Sequence, residues 1–301
     1  METSLPRDPE FQDRPTLGTP ARRGPLIAGM ELGPRPERHR ALTPNATLAE
    51  RHDLTPLVAR FVVHPDGAVP PFEPGQYFSL GLEIDARPVL RPYSTASPRG
   101  TTQTLEFLIR RVPTGNFTPA LWQASAGDRL WFGPPKGLFT LKPKDARAHL
   151  LVSSGTGIAP FISMLGELLG GVDDTGRASR RAAAAAPVGP RVVVAHGVSY
   201  ESELSYRQHL QSLAAVNPRL TYVPTLSRPH DPENAGWVGR SGRVEAILAG
   251  VCADLNLDPS DSVAYLCGNP DMVARSEEVL RGLGFAPEAV IHENYWTAAA
   301  A

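Results

Sequence analysis

A chain of 301 residues with 42% hydrophobic and 20% charged side chains is long enough for two buried cores and has the composition of a globular protein. Its formal net charge of −1 excludes a global attraction to nucleic acid or to a membrane surface, so a charged partner must be met by a local patch. Two cysteines, Cys252 and Cys267, are too few for a disulfide framework or a four-thiolate iron–sulfur cluster, and no metal site is expected.

The N-terminal "METSLPRDPEFQDRP" lacks the apolar core of a signal peptide, and no apolar run has the length of a membrane span. A cytoplasmic protein without a membrane anchor is expected. Residues 1–44 are rich in proline and arginine and show no apolar period. They are expected to form a disordered or loosely docked extension, because such a composition cannot offset its ordering entropy.

From 45 to 145 the text becomes β-rich. The runs "LVARFVV", "GQYFSLGLEI", "TLEFLIRRV", "DRLWFGPP" and "GLFTLK" are separated by "HPDG", "SPRG", "PTGN" and "AGD". Short strands with such turn signals predict a small antiparallel barrel or sandwich, with one helix over Thr118 to Ala124. From 148 to 296 strands alternate with helical periods. "AHLLVSS" precedes "APFISMLGELL", in which Ile158, Phe161, Ile162, Leu165, Leu168 and Leu169 recur at helical spacing. Strands "RVVVAHGV", "LTYVPTL", "SVAYLCG" and "AVIHENYW" alternate with helices "ELSYRQHLQSLAA", "RVEAILAGV" and "PDMVARSEEVLRGLG". This predicts a doubly wound parallel α/β domain, interrupted by an insertion near 171–190 and followed by a tail over 297–301.

Five stretches carry chemistry. In "RPYS" strand alternation points Arg91 and Tyr93 one way and Pro92 and Ser94 the other. A guanidinium pairs with phosphate oxygens, a tyrosine ring stacks on a planar ligand, and Ser94 donates a hydrogen bond; an edge strand with a surface arginine is the simpler account. "GNFT" opens a helical stretch, so Gly115 to Thr118 form either an anion cradle or an ordinary N-terminal cap. "SSGTGIAP" sits at a strand-to-helix turn where Gly155 and Gly157 admit a close backbone approach, by a pyrophosphate or simply by the turn itself. "YLCGNPDM" places Cys267 at a strand tip, facing the cleft or packed in the core. "LSRPHDPENAGWVGRSGR" supplies Ser227, Arg228, Arg240 and Arg243, which either hold a phosphate or are solvated.

Taken in order, "GQYFSLGLEID…RPYSTAS", "GNFT", "SSGTGIAPF", "HGVSYESELSY", "SR…GR", "LCGNPDMV" and "ENYW" resemble the ferredoxin–NADP reductase family, in particular its short bacterial ferredoxin/flavodoxin–NADP reductases, over about 45 to 296. The resemblance implies an antiparallel FAD-binding β-barrel followed by an NADP-binding α/β domain. It implies that Arg91 binds the FAD pyrophosphate, Tyr93 stacks on the flavin and Ser94 lies near flavin N5. Gly115, Asn116, Phe117 and Thr118 cradle the FAD phosphates, and Tyr295 and Trp296 pack against FAD. Gly155, Thr156 and Gly157 hold the NADP pyrophosphate, and Ser227, Arg228 and Arg243 recognise its 2′-phosphate. Cys267 and Gly268 flank the nicotinamide. With Ser94, Tyr93 and Cys267 as its catalytic residues, the implied reaction passes hydride from NADPH to flavin N5 and single electrons to ferredoxin or flavodoxin. It calls for no acid–base pair, so His196 and His292 are expected to be structural.

Proline at position 92, where alanine is common in the family, and the "TAAAA" after Trp296 depart from the pattern. Arg99, Arg110, Arg111 and Lys136 form either a basic rim for an acidic carrier or ordinary surface charges. A monomer is expected. The alternatives are an NAD(P)H-dependent reductase component feeding an oxygenase or another acceptor, and a flavin-binding module that never meets nucleotide; intact "GTG" and "CGNP" argue against the module.

Overall fold

The computed structural model describes residues 43–169 and 189–295. The expected extension up to residue 42, the insertion over 170–188, Trp296 and the tail over 297–301 lie outside the described residues. Among the described residues, no helix is long and apolar enough to cross a membrane.

The first half is an antiparallel sheet in the order β4-β3-β6-β1-β2-β5. Its strands are β1 (Ala46–Thr55), β2 (Val58–Pro65), β3 (Tyr77–Ile84), β4 (Arg87–Ser94), β5 (Leu105–Arg110) and β6 (Arg129–Phe132). A bridge between Thr95 and Phe107, with the Ala96 N–H donating to the Glu106 carbonyl at 2.8 Å, joins the two edges and closes a barrel. Alternation along the strands puts Phe61, Phe78, Leu80 and Phe107 inside, and Phe78 stacks on Phe132 at 4.9 Å. Burial of each such ring stabilises the barrel by roughly 1.5–3 kcal/mol.

The hairpin joining β3 and β4 turns on Asp85 (φ 51°) and Ala86 (φ 57°). Two central residues with positive φ define a type I′ turn, which matches the twist of the flanking strands. Register then follows from Ile84↔Arg87 to Tyr77↔Ser94, and this sets where Arg91, Tyr93 and Ser94 fall.

One strand was not foreseen and two expectations are corrected. Strand β1 is hidden in the sequence because its outer end carries Glu50, Arg51, His52 and Asp53. They pair locally (Arg51–Asp53 2.8 Å, His52–Glu50 2.7 Å) and mask the alternation. "GLFTLK" is a strap and not a strand. Leu138 is 96% exposed, whereas Phe139 is buried against Phe161 and Tyr265 with ring centroids 6.0 and 5.9 Å away. The helix after "GN" is α1 (Phe117–Leu121), one residue earlier and shorter than expected, because the Gln123 and Ala124 N–H groups tighten onto the carbonyls of Ala120 and Leu121.

The second half is a parallel sheet ordered β10-β9-β8-β7-β11-β12. It comprises β7 (Ala148–Ser154), β8 (Val192–Val198), β9 (Leu220–Leu226), β10 (Arg240–Ser241), β11 (Ser262–Gly268) and β12 (Val290–Asn294). The helices are α2 (Ala159–Leu168), α3 (Arg207–Val216), α4 (Val244–Asp254) and α5 (Pro270–Gly282). Helix α3 starts at Arg207 and not at Glu203, because Tyr206 takes a left-handed φ of 61° that breaks the helical path. The strand order reverses between β7 and β11, and a crevice for ligands opens at such a point. Helices α2 and α3 pack on one face of the sheet, α4 and α5 on the other. The α2 and α3 core also takes in Val58, Ala96, Leu108 and Phe139, so the barrel and the α/β half share one continuous apolar contact.

Candidate functional site

Strand β4 ends at the seam between the halves. Arg91 is exposed; its Nη2 donates to Asn116 Oδ1 at 3.2 Å, and its Nη1 donates to the Leu90 carbonyl at 2.8 Å. Asn116 precedes α1 without capping it, so its oxygen goes to Arg91 and the first-turn N–H groups receive no side-chain cap. A cation and an uncapped turn therefore stand side by side. Tyr93 packs on the barrel core with Phe117 6.0 Å away, and burial pushes its phenol above the ordinary value. Phe117 is itself core. Thr118 Oγ1 accepts from the Val112 N–H at 2.8 Å and donates to the Val112 carbonyl at 3.2 Å, so its hydroxyl pins the "VPTG" turn.

Ser94 faces the other way, as alternation required. It is buried, and its Oγ donates to Glu293 Oε2 at 3.2 Å on β12. Glu293 is the register partner of Cys267. The Tyr295 hydroxyl lies close enough to Ser94 and Cys267 for both side chains to act on its ionisation, and its backbone N–H donates to the Gly268 carbonyl at 2.8 Å. Ser94, Cys267, Glu293 and Tyr295 thus form one cluster from both halves. Burial raises the Glu293 carboxyl, and the bond from Ser94 opposes that rise. Burial, then the charge of Glu293, holds the Cys267 thiol well above its ordinary value, with Tyr295 acting in the opposite direction. Cys267 is fully buried, so of the two positions its sequence allows the core position is the one observed.

The Gly155–Gly157 turn follows β7. Gly155 has φ 53°, and the buried His196 donates Nε2–H to its carbonyl at 2.9 Å. Burial pushes His196 down to about 4, so it is neutral near pH 7 and structural, as expected. A Cβ on Gly157 would stand 2.2 Å from the Cys267 carbonyl oxygen; the close approach it admits is by β11. Gly268 has φ 142°, and a Cβ there would meet Ser154 Oγ at 2.5 Å.

A cavity of about 320 Å³ lies over this turn, lined among others by Thr156, Ser227, Arg243 and Gly268. Ser227 Oγ is 3.4 Å from Ser199 Oγ. Arg228 sits over the Tyr200 ring at 5.3 Å and donates to its hydroxyl at 2.6 Å. Arg240 is engaged by Asp254 at 2.5 Å. Arg110, one of four cations considered for a carrier-facing rim, instead lines this cavity and pairs with Glu203 at 2.6 Å. Arg99 is engaged by Glu73 and Glu167, whereas Lys136 is exposed.

Residues 45–141 match the model of the oxidoreductase FAD-binding domain, and residues 151–278 that of the oxidoreductase NAD-binding domain. A ferredoxin–NADP reductase of Azotobacter vinelandii is 34% identical over 228 residues, spanning 71% of this chain and 80% of that protein. The chain belongs to the ferredoxin–NADP reductase family. Ferredoxin–NADP reductase B of Sorangium cellulosum is 33% identical, spanning 75% of this chain and 86% of its own. Among solved structures, the Amycolatopsis cytochrome P450 reductase GcoB is 26% identical with a TM-score of 0.69, covering 85% of this chain and 70% of its own.

As a member of this family the chain is a flavin oxidoreductase with FAD- and NAD-binding domains. The residues present fit such a flavin nucleotide: Arg91 beside an uncapped turn suits a diphosphate, and the half-buried Tyr93 ring suits a planar ring system. Glu293, Tyr200 and Glu203 have no role legible in the sequence pattern. Glu293 lies inside "ENYW", where the aromatic residues are the visible signal, and both Tyr200 and Glu203 lie inside "HGVSYESELSY".

Proposed function

We propose that this chain passes electrons between NADPH and a one-electron carrier, ferredoxin or flavodoxin. The observation that carries this reading is the Ser94–Glu293 contact, which joins barrel and α/β half within 3.2 Å beside Cys267 and Tyr295. FAD, when bound, supplies the exchange of a two-electron hydride for single electrons. Arg91, Gly115 and Asn116 hold its diphosphate, and Tyr93 and Tyr295 orient its ring system. Phe117 and Thr118 act one step back, as core and turn support. Ser94 and Glu293 hold a proton at the seam, buried enough to keep it from bulk water.

Gly155, Thr156 and Gly157 shape the nucleotide diphosphate site, with Arg110 as its cation. Ser227, Arg228 and Arg243 favour a 2′-phosphate, which points to NADPH over NADH. The likeness to the Amycolatopsis cytochrome P450 reductase supports a second reading, in which the acceptor belongs to an oxygenase system.

The flavin-loaded protein is mixed anaerobically with NADPH, and bleaching of the flavin band is followed by addition of ferredoxin, flavodoxin or an oxygenase-type acceptor. Bleaching with rapid ferredoxin or flavodoxin reduction is expected. No bleaching removes the reading, and bleaching with transfer to the oxygenase acceptor alone selects the second one.

A further inference from the structure

The cavity over the Gly155–Gly157 turn holds one group to which the proposed function gives no task. Glu245 stands in the first turn of α4 and is 7% exposed. It lines that cavity and makes no hydrogen bond or ion pair among the described residues. The residue is buried while its carboxylate oxygens are not among the fully enclosed polar atoms, so the carboxylate opens into the cavity and not onto protein. The start of α4, whose preceding residue Arg243 gives no side-chain cap, places the positive end of the helix dipole beside it. No donor among the described residues reaches the two carboxylate oxygens, so they are left available to a donor group of a molecule that enters the cavity.

The chemistry of a nicotinamide dinucleotide narrows that partner. Its phosphates repel a carboxylate. Its ribose rings present adjacent hydroxyls, which match the two oxygens of a carboxylate as paired donors. The cavity wall carries phosphate-type partners at Arg110 and Arg243 and a hydroxyl at Ser227, but no other anion that is unpaired among the described residues; Glu203 is engaged by Arg110.

We propose that Glu245 accepts hydrogen bonds from a ribose cis-diol of the bound dinucleotide and so is a specificity-determining residue of the site. The inference rests on the dinucleotide reading of this cavity. In NADPH the adenine-side ribose carries the 2′-phosphate and keeps no free cis-diol, so the diol is that of the nicotinamide-side ribose; the adenine-side ribose is a source only for a dinucleotide without the 2′-phosphate.

Binding to the full-length, flavin-loaded protein and to its Glu245→Gln and Glu245→Ala variants is measured by calorimetry with ADP-ribose, 5′-AMP and inorganic pyrophosphate. The glutamine is isosteric, and an unchanged flavin spectrum shows that each variant is folded. Both variants are expected to weaken ADP-ribose about tenfold, as for loss of one charge-assisted hydrogen bond, and to leave pyrophosphate unweakened. An unmoved 5′-AMP is expected and assigns the nicotinamide-side ribose; a parallel loss for 5′-AMP overturns that assignment and places Glu245 on a non-phosphorylated adenine-side ribose, against the NADPH preference. Unchanged or tighter ADP-ribose binding in the variants overturns the proposal. So does an equal weakening of pyrophosphate, which carries no diol. A wild-type protein that binds neither ADP-ribose nor NADPH removes the dinucleotide reading together with this one, whereas equal binding by wild type and variants removes this one alone.

Discussion

Ser94 Oγ donates to Glu293 Oε2 at 3.2 Å across 199 positions of sequence, so the end of the barrel's hairpin strand and the last strand of the α/β sheet meet at one proton. Burial holds the Glu293 carboxyl above its ordinary value of 4.5. The folded protein therefore binds that proton more tightly than the unfolded chain. Stability from this group is complete below 4.5 and is lost as pH rises through the folded value. Glu293→Gln is expected to raise the melting temperature at pH 7 and to match wild type below about pH 4.5. An identical offset at both pH values would refute the assignment. The same variant is expected to flatten the pH dependence of flavin reduction by NADPH.

His196 acts with the opposite sign. Its folded value of about 4 lies below the ordinary 6.5, so it contributes stability above 6.5 that is lost as pH falls through 4. The difference corresponds to about 3 kcal/mol. His196→Gln keeps a donor for the Gly155 carbonyl but cannot titrate. Denaturant melts between pH 6.5 and 4 are expected to show a shallower loss in the variant than in wild type.

Gly157→Ala places a methyl 2.2 Å from the Cys267 carbonyl oxygen, a backbone atom that a rotamer change cannot move. Forced displacement of β11 from the turn is expected to destabilise the protein by about 3 kcal/mol in urea unfolding. NADPH affinity drops with it, because the turn and the Cys267–Gly268 strand end shift together.

Ala86 occupies a left-handed position, φ 57°, in the two-residue turn between β3 and β4. A non-glycine residue there is strained, and asparagine–glycine or aspartate–glycine is the preferred pair. Ala86→Gly creates an aspartate–glycine pair with Asp85 and is expected to raise stability by roughly 0.5–1 kcal/mol, less the unfolded-state entropy of glycine. Thermal denaturation checks it, and the register that places Ser94 is left unchanged.

Arg228→Ala removes the guanidinium stacked on Tyr200. The ratio of kcat/KM for NADPH over NADH is expected to fall by about ten- to a hundredfold, chiefly through KM. A ratio that does not move places the 2′-phosphate elsewhere.

Much of the fold was legible because periodicity survives in it. "RVVVAHGV" and "SVAYLCG" read as strands of a parallel sheet and are so, buried along their whole length in the structure, and the helical spacing from Ile158 to Leu169 falls on α2. Legibility failed where tertiary contact outweighs local pattern. Phe139 anchors a strap in another element's core, Tyr206 takes a left-handed turn that delays α3, and the charged end of β1 hides an alternating strand.

The site divides along the same line. Local chain chemistry set which groups exist and in what order: Arg91, Tyr93 and Ser94 on alternating faces, glycines at two strand ends, basic residues after β9. How those groups are used was settled by folding. Thr118 is turned inward to a turn, Gly157 toward Cys267, Arg110 into the cavity over the Gly155–Gly157 turn, Glu293 into the seam and Glu245 into burial. The reason is that alternation and turn chemistry act over a few residues, whereas burial and hydrogen-bond partnership depend on which distant strand ends the closed barrel and the reversed strand order bring together.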